Sequence, residues 1–512
     1  MNKLENLLGE SFAYYLILRV IELCKGSLFF SFGVKVKSAD EVKPFDYKHS
    51  LIIRTLRKID AHLAKLDKFL YKFYKASLFG FIFENFVRLL NESFIGQKLK
   101  KLSGTGSLRV YVSLIPILYL YIDFFFRNGG VFVSLSKFWD EIALVFVYAF
   151  IMLDRVRKGG RYKANFNYMG VVAFLYVISG VLHMFAKSPD PGIAVEGFRV
   201  VFQQVLWYFA LAELIRTKND AVFAVKTFNM IGLALGLHAV YQFIFRVRPL
   251  GNWVDVSESL RTRAFAVTTS PNILGSLFVM LLPLAVGLFF YAKPLLSKLF
   301  YLVCFLVMAA GLVFTYSRGA WLSAAFCFLA TAVMIDLRFA FIFAAAGVFG
   351  ITALNSIRSR LFVIFSPIYL AKASKNGRLF RWKKGLLEWD KDRMFGAGLG
   401  QFGGAAAMNN FPERFYIDNY YLKTLTETGY FGIGSLIFMV AAFIFTSLKI
   451  INNQTDKSEK LLVLSVFAGG VGVLIHNFVE NIFEVPAMIV YFWSFIAIIN
   501  AFEPPEKEAV YE

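Results

Sequence analysis

The run PNILGSLFVMLLPLAVGLFFY, residues 271–291, contains no charged side chain. A stretch this long and this apolar has one natural solvent. The hydrocarbon core of a bilayer is about 30 Å thick, and a helix rising about 1.5 Å per residue crosses it in about 20 residues. Lipid offers no hydrogen-bond partner to the backbone, so the segment must satisfy its own N–H and C=O groups as a helix. Eleven further apolar stretches follow the same logic. Together the twelve fall near 110–126, 138–153, 166–186, 198–215, 221–245, 271–291, 295–316, 319–336, 338–354, 421–447, 461–481 and 482–502. Composition agrees: 58% of residues are hydrophobic and 18% charged, against about one half and one quarter in soluble domains. The expected fold class is an all-α polytopic membrane protein with about 12 transmembrane helices.

Lysine and arginine in short loops orient such a chain. The loop after the second stretch carries Arg155, Arg157, Lys158, Arg161 and Lys163, and the loop after the fourth carries Arg216 and Lys218. These loops are expected on the cytoplasmic side, with both termini. The chain then divides into a basic N-terminal region (1–107), helices 1–9 (108–354), a large extracytoplasmic loop (355–420), helices 10–12 (421–502) and a cytoplasmic tail (503–512). Residues 1–107 hold 18 Lys and Arg against 10 Asp and Glu, a net charge of +8, with apolar patches interrupted by charges. That pattern reads as an amphipathic anchor on the anionic membrane face. Glu5 and Glu10 precede the apolar run at 12–18, and no small-residue cleavage site follows it, so a cleavable signal peptide is not expected. Cys24, Cys304 and Cys327 give neither a disulfide framework nor a zinc spacing. Nor does the +20 net charge read as nucleic-acid binding, because the aromatic residues lie in apolar segments instead of alternating with basic ones.

The outer side breaks the positive-inside rule. Arg246, Arg248, Arg261, Arg263, Arg318, Arg358, Arg360, Arg378, Arg381, Arg393 and Arg414 all collect there. Guanidinium is planar, permanently charged and able to hold phosphate oxygens through two parallel hydrogen bonds, so the cluster points to a phosphate-bearing ligand at the membrane surface. Each arginine taken singly also fits a charge snorkelling to lipid headgroups. In GRLFRWKKGLLEW a helical period puts Arg378 and Arg381 on one face. Gly398, Gly400 and Gly403 spell GxGxxG, but a dinucleotide site needs a preceding strand inside a βαβ unit, and none is readable. These glycines fit a turn or an anion-holding nest. In YIDNYYLKTLTETGYFG, Asp418 and Asn419 precede an apolar span that also carries Lys423 and Glu427. Asp418 is either a proton acceptor or an N-cap or ion-pair residue. Glu427 is either Lys423's neutralising partner or an orienter of an arginine. His476 and Glu480, four apart near the end of the eleventh span, are candidates to orient substrate or to cap that helix.

Four motifs in order carry a resemblance: RTRAFAVTTSPNILG, TYSRGAW, the series Gly377, Arg378, Trp382, Phe395, Gly396, Gly398–Gly400 and Phe402, and the series Asp418, Asn419, Tyr421, Leu422, Leu425, Glu427, Gly429 and Gly432. Over roughly residues 165–500 the chain resembles the O-antigen ligase-like family, which includes surface-polysaccharide polymerases and protein O-oligosaccharyltransferases. The resemblance implies a GT-C-like membrane glycosyltransferase. Such an enzyme moves a glycan from undecaprenyl diphosphate to a hydroxyl acceptor (glycan, lipid or protein) outside the cytoplasmic membrane, without metal or cofactor. It assigns Arg261, Arg263, Arg318, Arg378 and Arg381 to the diphosphate and Asp418, Asn419 and Glu427 to catalysis; His476 and Glu480 stay the candidates for substrate orientation read above from their spacing. Members that ligate onto a lipopolysaccharide core typically have histidine where this chain has Asp418, which leaves the acceptor open. Two other classes remain: a metal enzyme using Asp140 and Glu141, and a flippase for lipid-linked glycans.

Overall fold

The computed structural model describes residues 51–103, 108–129, 133–159, 167–187, 189–248, 262–353, 358–359, 362, 366–375, 377–412 and 415–503. Its α-helices are α1 (Leu51–Ala76), α2 (Leu78–Glu92), α3 (Phe94–Ser103), α4 (Leu108–Ile117), α5 (Tyr119–Asn128), α6 (Trp139–Arg157), α7 (Tyr168–Ala186), α8 (Pro191–Val201), α9 (Leu206–Leu214), α10 (Lys218–Ile244), α11 (Pro271–Tyr291), α12 (Leu295–Phe314), α13 (Arg318–Ile335), α14 (Leu337–Ala353), α15 (Pro367–Lys375), α16 (Arg378–Trp389), α17 (Ala405–Asn410), α18 (Tyr420–Asn453), α19 (Lys457–His476) and α20 (Pro486–Asn500). The protein is all-α among the described residues.

Seven of these helices, α7, α10 to α13, α18 and α19, are long and apolar enough to cross a membrane, or eight if α4 and α5, bent by 61°, form one span. That is fewer than the twelve expected, and the difference has local causes. Pro116 lies in the last turn of α4, where its missing N–H and ring interrupt the ladder. In α6, Asp140 and Glu141 occupy the first turn, and Arg155 and Arg157 the last. The stretch 198–215 divides into α8, a 3-10 turn at Gln203–Val205 and α9. α14 has 17 residues, and the final stretch is a 3-10 turn, Ile482–Glu484, followed by a 15-residue α20.

The core is built on α11, which packs along α19 and is flanked by α12 and α13. Glycine sets that contact. A Cβ at Gly469 would lie 2.2 Å from the Met280 carbonyl oxygen, and one at Gly472 2.6 Å from a Val279 methyl, so only small residues allow these backbones to meet. Phe228, Tyr491, Phe492, Trp493 and Phe495 fill the neighbouring layer with no more than 1% exposure. On the far side, α1 docks on α6 through Arg155, which pairs with Asp60 at 2.7 Å and Asp67 at 2.6 Å. The helices α1 to α3 leave Phe69, Phe73, Phe79, Phe81, Phe86 and Phe94 exposed, the pattern of a membrane-surface element. The apolar run at 12–18 lies outside the described residues.

Candidate active site

One end of the bundle gathers four separate motifs into a single chain of ion pairs and hydrogen bonds. It starts at α16, where Arg378 and Arg381 stand one turn apart. Arg381 reaches the Asp418 carboxylate at 2.7 Å, and the Arg378 Nε approaches the same oxygen at 3.4 Å. The other arm of Arg378 lies 3.4 Å from Glu480. Glu480 also accepts a hydrogen bond from the Asn272 amide at 2.7 Å, and the Asn272 oxygen accepts one from Arg263 at 3.1 Å. Arg263 completes the line by donating to the Thr315 carbonyl at 2.9 Å.

Local sequence explains how each side chain is presented. Pro271 starts α11, where its absent N–H leaves no donor unsatisfied, and this brings Asn272 into the first turn. Ala264 donates its N–H to the Phe314 carbonyl at 2.9 Å, and the Phe265 and Ala266 N–H groups share the Gln242 side-chain oxygen at 2.9 and 2.8 Å. The 262–266 strip is thus pinned to α10 and α12, with Arg263 buried. The backbone of Asp418 has φ 52°, a left-handed turn that aspartate tolerates better than most residues. The Ile417 carbonyl is held by the Trp382 indole at 2.9 Å, and the Tyr416 carbonyl by Arg381 at 2.8 Å. His476 lies beside the line, fully buried, with Nδ1 2.6 Å from the Ser276 hydroxyl. A Cβ at Gly319 would sit 2.8 Å from the His476 ring, so the Ser-Arg-Gly turn that carries Arg318 stands directly on that histidine.

Electrostatically, the line alternates sign. Arg378, a third exposed, is held at 3.4 Å by each of two carboxylates, longer than the 2.7 Å of the Arg381 contact. Its guanidinium is the one best placed to exchange a carboxylate for another anion. Burial and the nearby Asp418 charge push the Glu480 carboxyl up to about 7, against the pull of Arg378. A carboxyl at that value both holds and releases a proton near neutrality.

Asn419 and Glu427 lie elsewhere. Asn419, not Asp418, caps α18, its side chain accepting from the Leu422 N–H at 3.0 Å while its own N–H donates to Asn481 at 3.0 Å. Glu427 belongs to a second, fully buried cluster. Lys423 pairs with it at 2.7 Å and with Glu484 at 2.9 Å. The Phe402 N–H donates to Glu427 at 3.1 Å, and the Ala405 N–H to Glu484 at 3.2 Å. This cluster ties the glycine-rich loop to α18.

Immediately below, α18 breaks at Gly429, with φ 58° and ψ −158°. The break leaves backbone groups unpaired within the helix, and the loop supplies their partners. Ala397 and Gly398 donate to the Thr426 and Glu427 carbonyls at 2.9 and 2.8 Å, while the Arg393 and Met394 carbonyls accept from Tyr430 and Phe431 at 2.9 and 3.1 Å. Gly396, Gly398, Gly400 and Gly403 all have positive φ. Of the turn and the anion-holding nest expected, the GxGxxG forms a turn that docks on α18, with the Gly398 N–H taken by the Glu427 carbonyl.

The structure thus joins Arg263, Arg378, Arg381, Asp418 and Glu480, sets His476 and Arg318 beside them, and places Asn419 and Glu427 in structural contacts. Arg261 lies outside the described residues. Asn272 and Glu484 were not singled out; the signal for the first was its place after Pro271 in the SPN motif, and for the second a further acid close behind Glu480. The other acidic pair is held by protein groups: Asp140 accepts from the Tyr119 hydroxyl at 3.1 Å and the Gln204 amide at 3.3 Å, and Glu141 pairs with Arg199. Among the described residues no group of three or more His, Cys, Asp or Glu is arranged to hold a metal.

Fold and site together define a multi-pass helical membrane protein with an arginine–carboxylate network at one end of its bundle. Residues 303–437 match the family model of the O-antigen ligase. The matched segment contains Arg318, Arg378, Arg381 and Asp418, whereas Arg263, Asn272, His476 and Glu480 reach the network from outside it. No curated protein matches the chain.

Proposed function

We propose that this protein is a GT-C-like membrane glycosyltransferase that moves a glycan from undecaprenyl diphosphate to a hydroxyl acceptor on the outer face of the cytoplasmic membrane. The observation that carries this reading is the arginine line itself, which unites the matched segment with two motifs distant from it. Its position at a helix-bundle end suits a donor whose tail stays in lipid while its diphosphate and glycan stand above.

The connections support about twelve crossings and this orientation. Glu484 hydrogen-bonds the glycine-rich loop at the network end, whereas Asn500, at the other end of α20, donates to Tyr208 at 2.9 Å. Similarly Glu196 in α8 meets Asn409 at 2.6 Å, while Tyr208 in α9 reaches Asn167 at 2.8 Å. Short α20 and the broken pair α8–α9 therefore each link the two ends. α14 is the helix that returns the chain from α13 to the network end, and α6 runs from Glu141, beside Arg199, to Arg155. The opposite end carries Arg155, Arg157 and Lys158, which the positive-inside rule assigns to the cytoplasm.

In the reaction, the acceptor hydroxyl oxygen attacks the anomeric carbon as the bond from that carbon to the diphosphate oxygen breaks. The departing electron pair stays on the diphosphate. Arg378, Arg381, Arg263 and Arg318 meet that growing charge in a partly dehydrated site, where preorganised donors are most effective. This supplies the neutralisation that a divalent cation gives other enzymes. Asp418, expected to take the acceptor proton, is engaged by two arginines and acts to position them. Glu480 takes the proton in this reading. When a diphosphate draws Arg378 away, Glu480 loses its cationic neighbour and its proton affinity rises further.

The test is incubation of purified protein with undecaprenyl diphosphate-linked glycan and hydroxyl acceptors, with EDTA present, reading released lipid diphosphate and product size. One discrete adduct means a ligase, and a ladder a polymerase of the same chemistry. Glycan translocation in vesicles without bond cleavage would replace the reading with a flippase.

A further inference from the structure

A cleft of about 600 Å³ is walled by the glycine-rich loop and by Phe411, Pro412 and Phe415. Phe402, Phe411 and Phe415 present aromatic surface to it, and the Phe402 and Phe415 rings meet edge to face at 5.4 Å. Its charges are already matched in pairs: Lys187 with Asp392 at 2.8 Å, and Lys391 with Glu388 at 2.6 Å. Gln401 also lines the cleft, and its amide nitrogen is buried with no hydrogen-bond partner among the described residues. A buried donor left unpaired costs about 1–3 kcal/mol, so a partner is expected from something that enters the cleft.

We propose that this cleft is a subsite for an uncharged sugar unit of the glycan substrate. A pyranose offers apolar C–H faces to aromatic rings and hydroxyl oxygens to an amide donor, and needs no net charge from its host. Four charges neutralised in advance argue against an acidic sugar, which would have to displace a carboxylate. The subsite adjoins the proposed reaction centre. The Ile417 N–H donates to the Gly403 carbonyl at 3.0 Å, and Asp418 follows Phe415 by three residues, at most about 10 Å of extended chain. The bound sugar therefore lies close along the glycan to the unit that reacts. This inference rests on the glycan-transfer reading, and the geometry serves a donor glycan or an acceptor glycan equally.

The experiment uses full-length protein in lipid nanodiscs. Saturation-transfer NMR is recorded with uncharged hexose and N-acetylhexosamine oligosaccharides of two to six units, and with uronic-acid oligosaccharides as comparison. Uncharged probes are expected to bind. Gln401→Ala and Phe411→Ala are expected to weaken that binding at least tenfold without moving the thermal midpoint. Arg378→Ala, which abolishes transfer in the reading above, is expected to leave the binding intact, so failure of one idea is separable from failure of the other. Where transfer is measured, Gln401→Ala raises KM for the lipid-linked donor if the sugar is the donor's, or for the acceptor if it is the acceptor's, with kcat little changed. Absence of binding by every uncharged probe, preference for the uronic-acid set, unchanged binding in both cleft variants, or loss of binding in Arg378→Ala would each overturn the proposal.

Discussion

Lys423→Met is the perturbation whose size the structure fixes best. Lys423 is 3% exposed and sits between two carboxylates, 2.7 Å from Glu427 and 2.9 Å from Glu484, neither more than 3% exposed. Methionine keeps the unbranched stem, without its terminal ammonium, and adds no charge, so the change chiefly removes the cation. Removing one member of a buried ion cluster leaves its partners charged and unsolvated, at about 3–5 kcal/mol. Here two carboxylates are left facing each other, which puts the expectation at the upper end, about 5 kcal/mol. Since 1.4 kcal/mol is tenfold, the unfolded fraction would rise by roughly three to four orders of magnitude. The Phe402 and Ala405 N–H groups still satisfy part of each carboxylate, which is why the cost stays within that range. The assay is thermal unfolding in detergent, followed by intrinsic fluorescence. Lys423→Met is expected to unfold well below the wild type, and the triple variant Lys423→Met, Glu427→Gln, Glu484→Gln to recover much of the loss, because neutral amides keep acceptors for the loop without the repulsion. An unchanged midpoint in Lys423→Met would refute the reasoning, as would a triple variant less stable than the single one.

Gly429→Ala places a Cβ 2.4 Å from the Met394 carbonyl group at a backbone angle that alanine avoids, so it should lower both the thermal midpoint and transfer; Gly434→Ala, with nothing within 4 Å, should change neither. In the proposed mechanism Glu480 sets the pH dependence. As the base it must be ionised, so transfer should rise as pH increases through about 7, and Glu480→Gln should lower the rate and remove that rise. Stability should move oppositely: the folded protein holds this proton more tightly than the unfolded chain, so stability falls between pH 4.5 and about 7, and Glu480→Gln removes that fall. Arg263→Lys keeps the charge but not the fork that reaches both Thr315 and Asn272, and should lower transfer at least tenfold, read as kcat with the protein still folded.

The sequence carried the apolar runs and the arginine cluster, because both are properties of residue type in a line. It did not carry the breaks. Gln203–Val205 and the bend at α4–α5 lie inside runs whose hydropathy is continuous, so counting apolar residues gave single spans. Arg378 and Arg381 were legible as a shared helix face because their spacing is local. Glu480, the partner of Arg378, lies 102 positions away, and no periodicity encodes such a pairing. Asp418 and Asn419 show the limit at single residues. Either can cap a helix, and only the backbone, with φ 52° at Asp418, decides that Asn419 does so. The glycines of GAGLGQFGG were visible, but their purpose depends on the break at Gly429, which lies in another motif.

The account stands on one claim, that this network grips a lipid-linked diphosphate. The measurement closest to it is the affinity of nanodisc-embedded protein for undecaprenyl diphosphate, compared between wild type, Arg378→Ala and Lys293→Ala, the last changing an exposed lysine between α11 and α12, away from both the network and the cleft. Arg378→Ala is expected to bind at least tenfold more weakly, and Lys293→Ala to bind as the wild type does. Equal affinity in all three would contradict it.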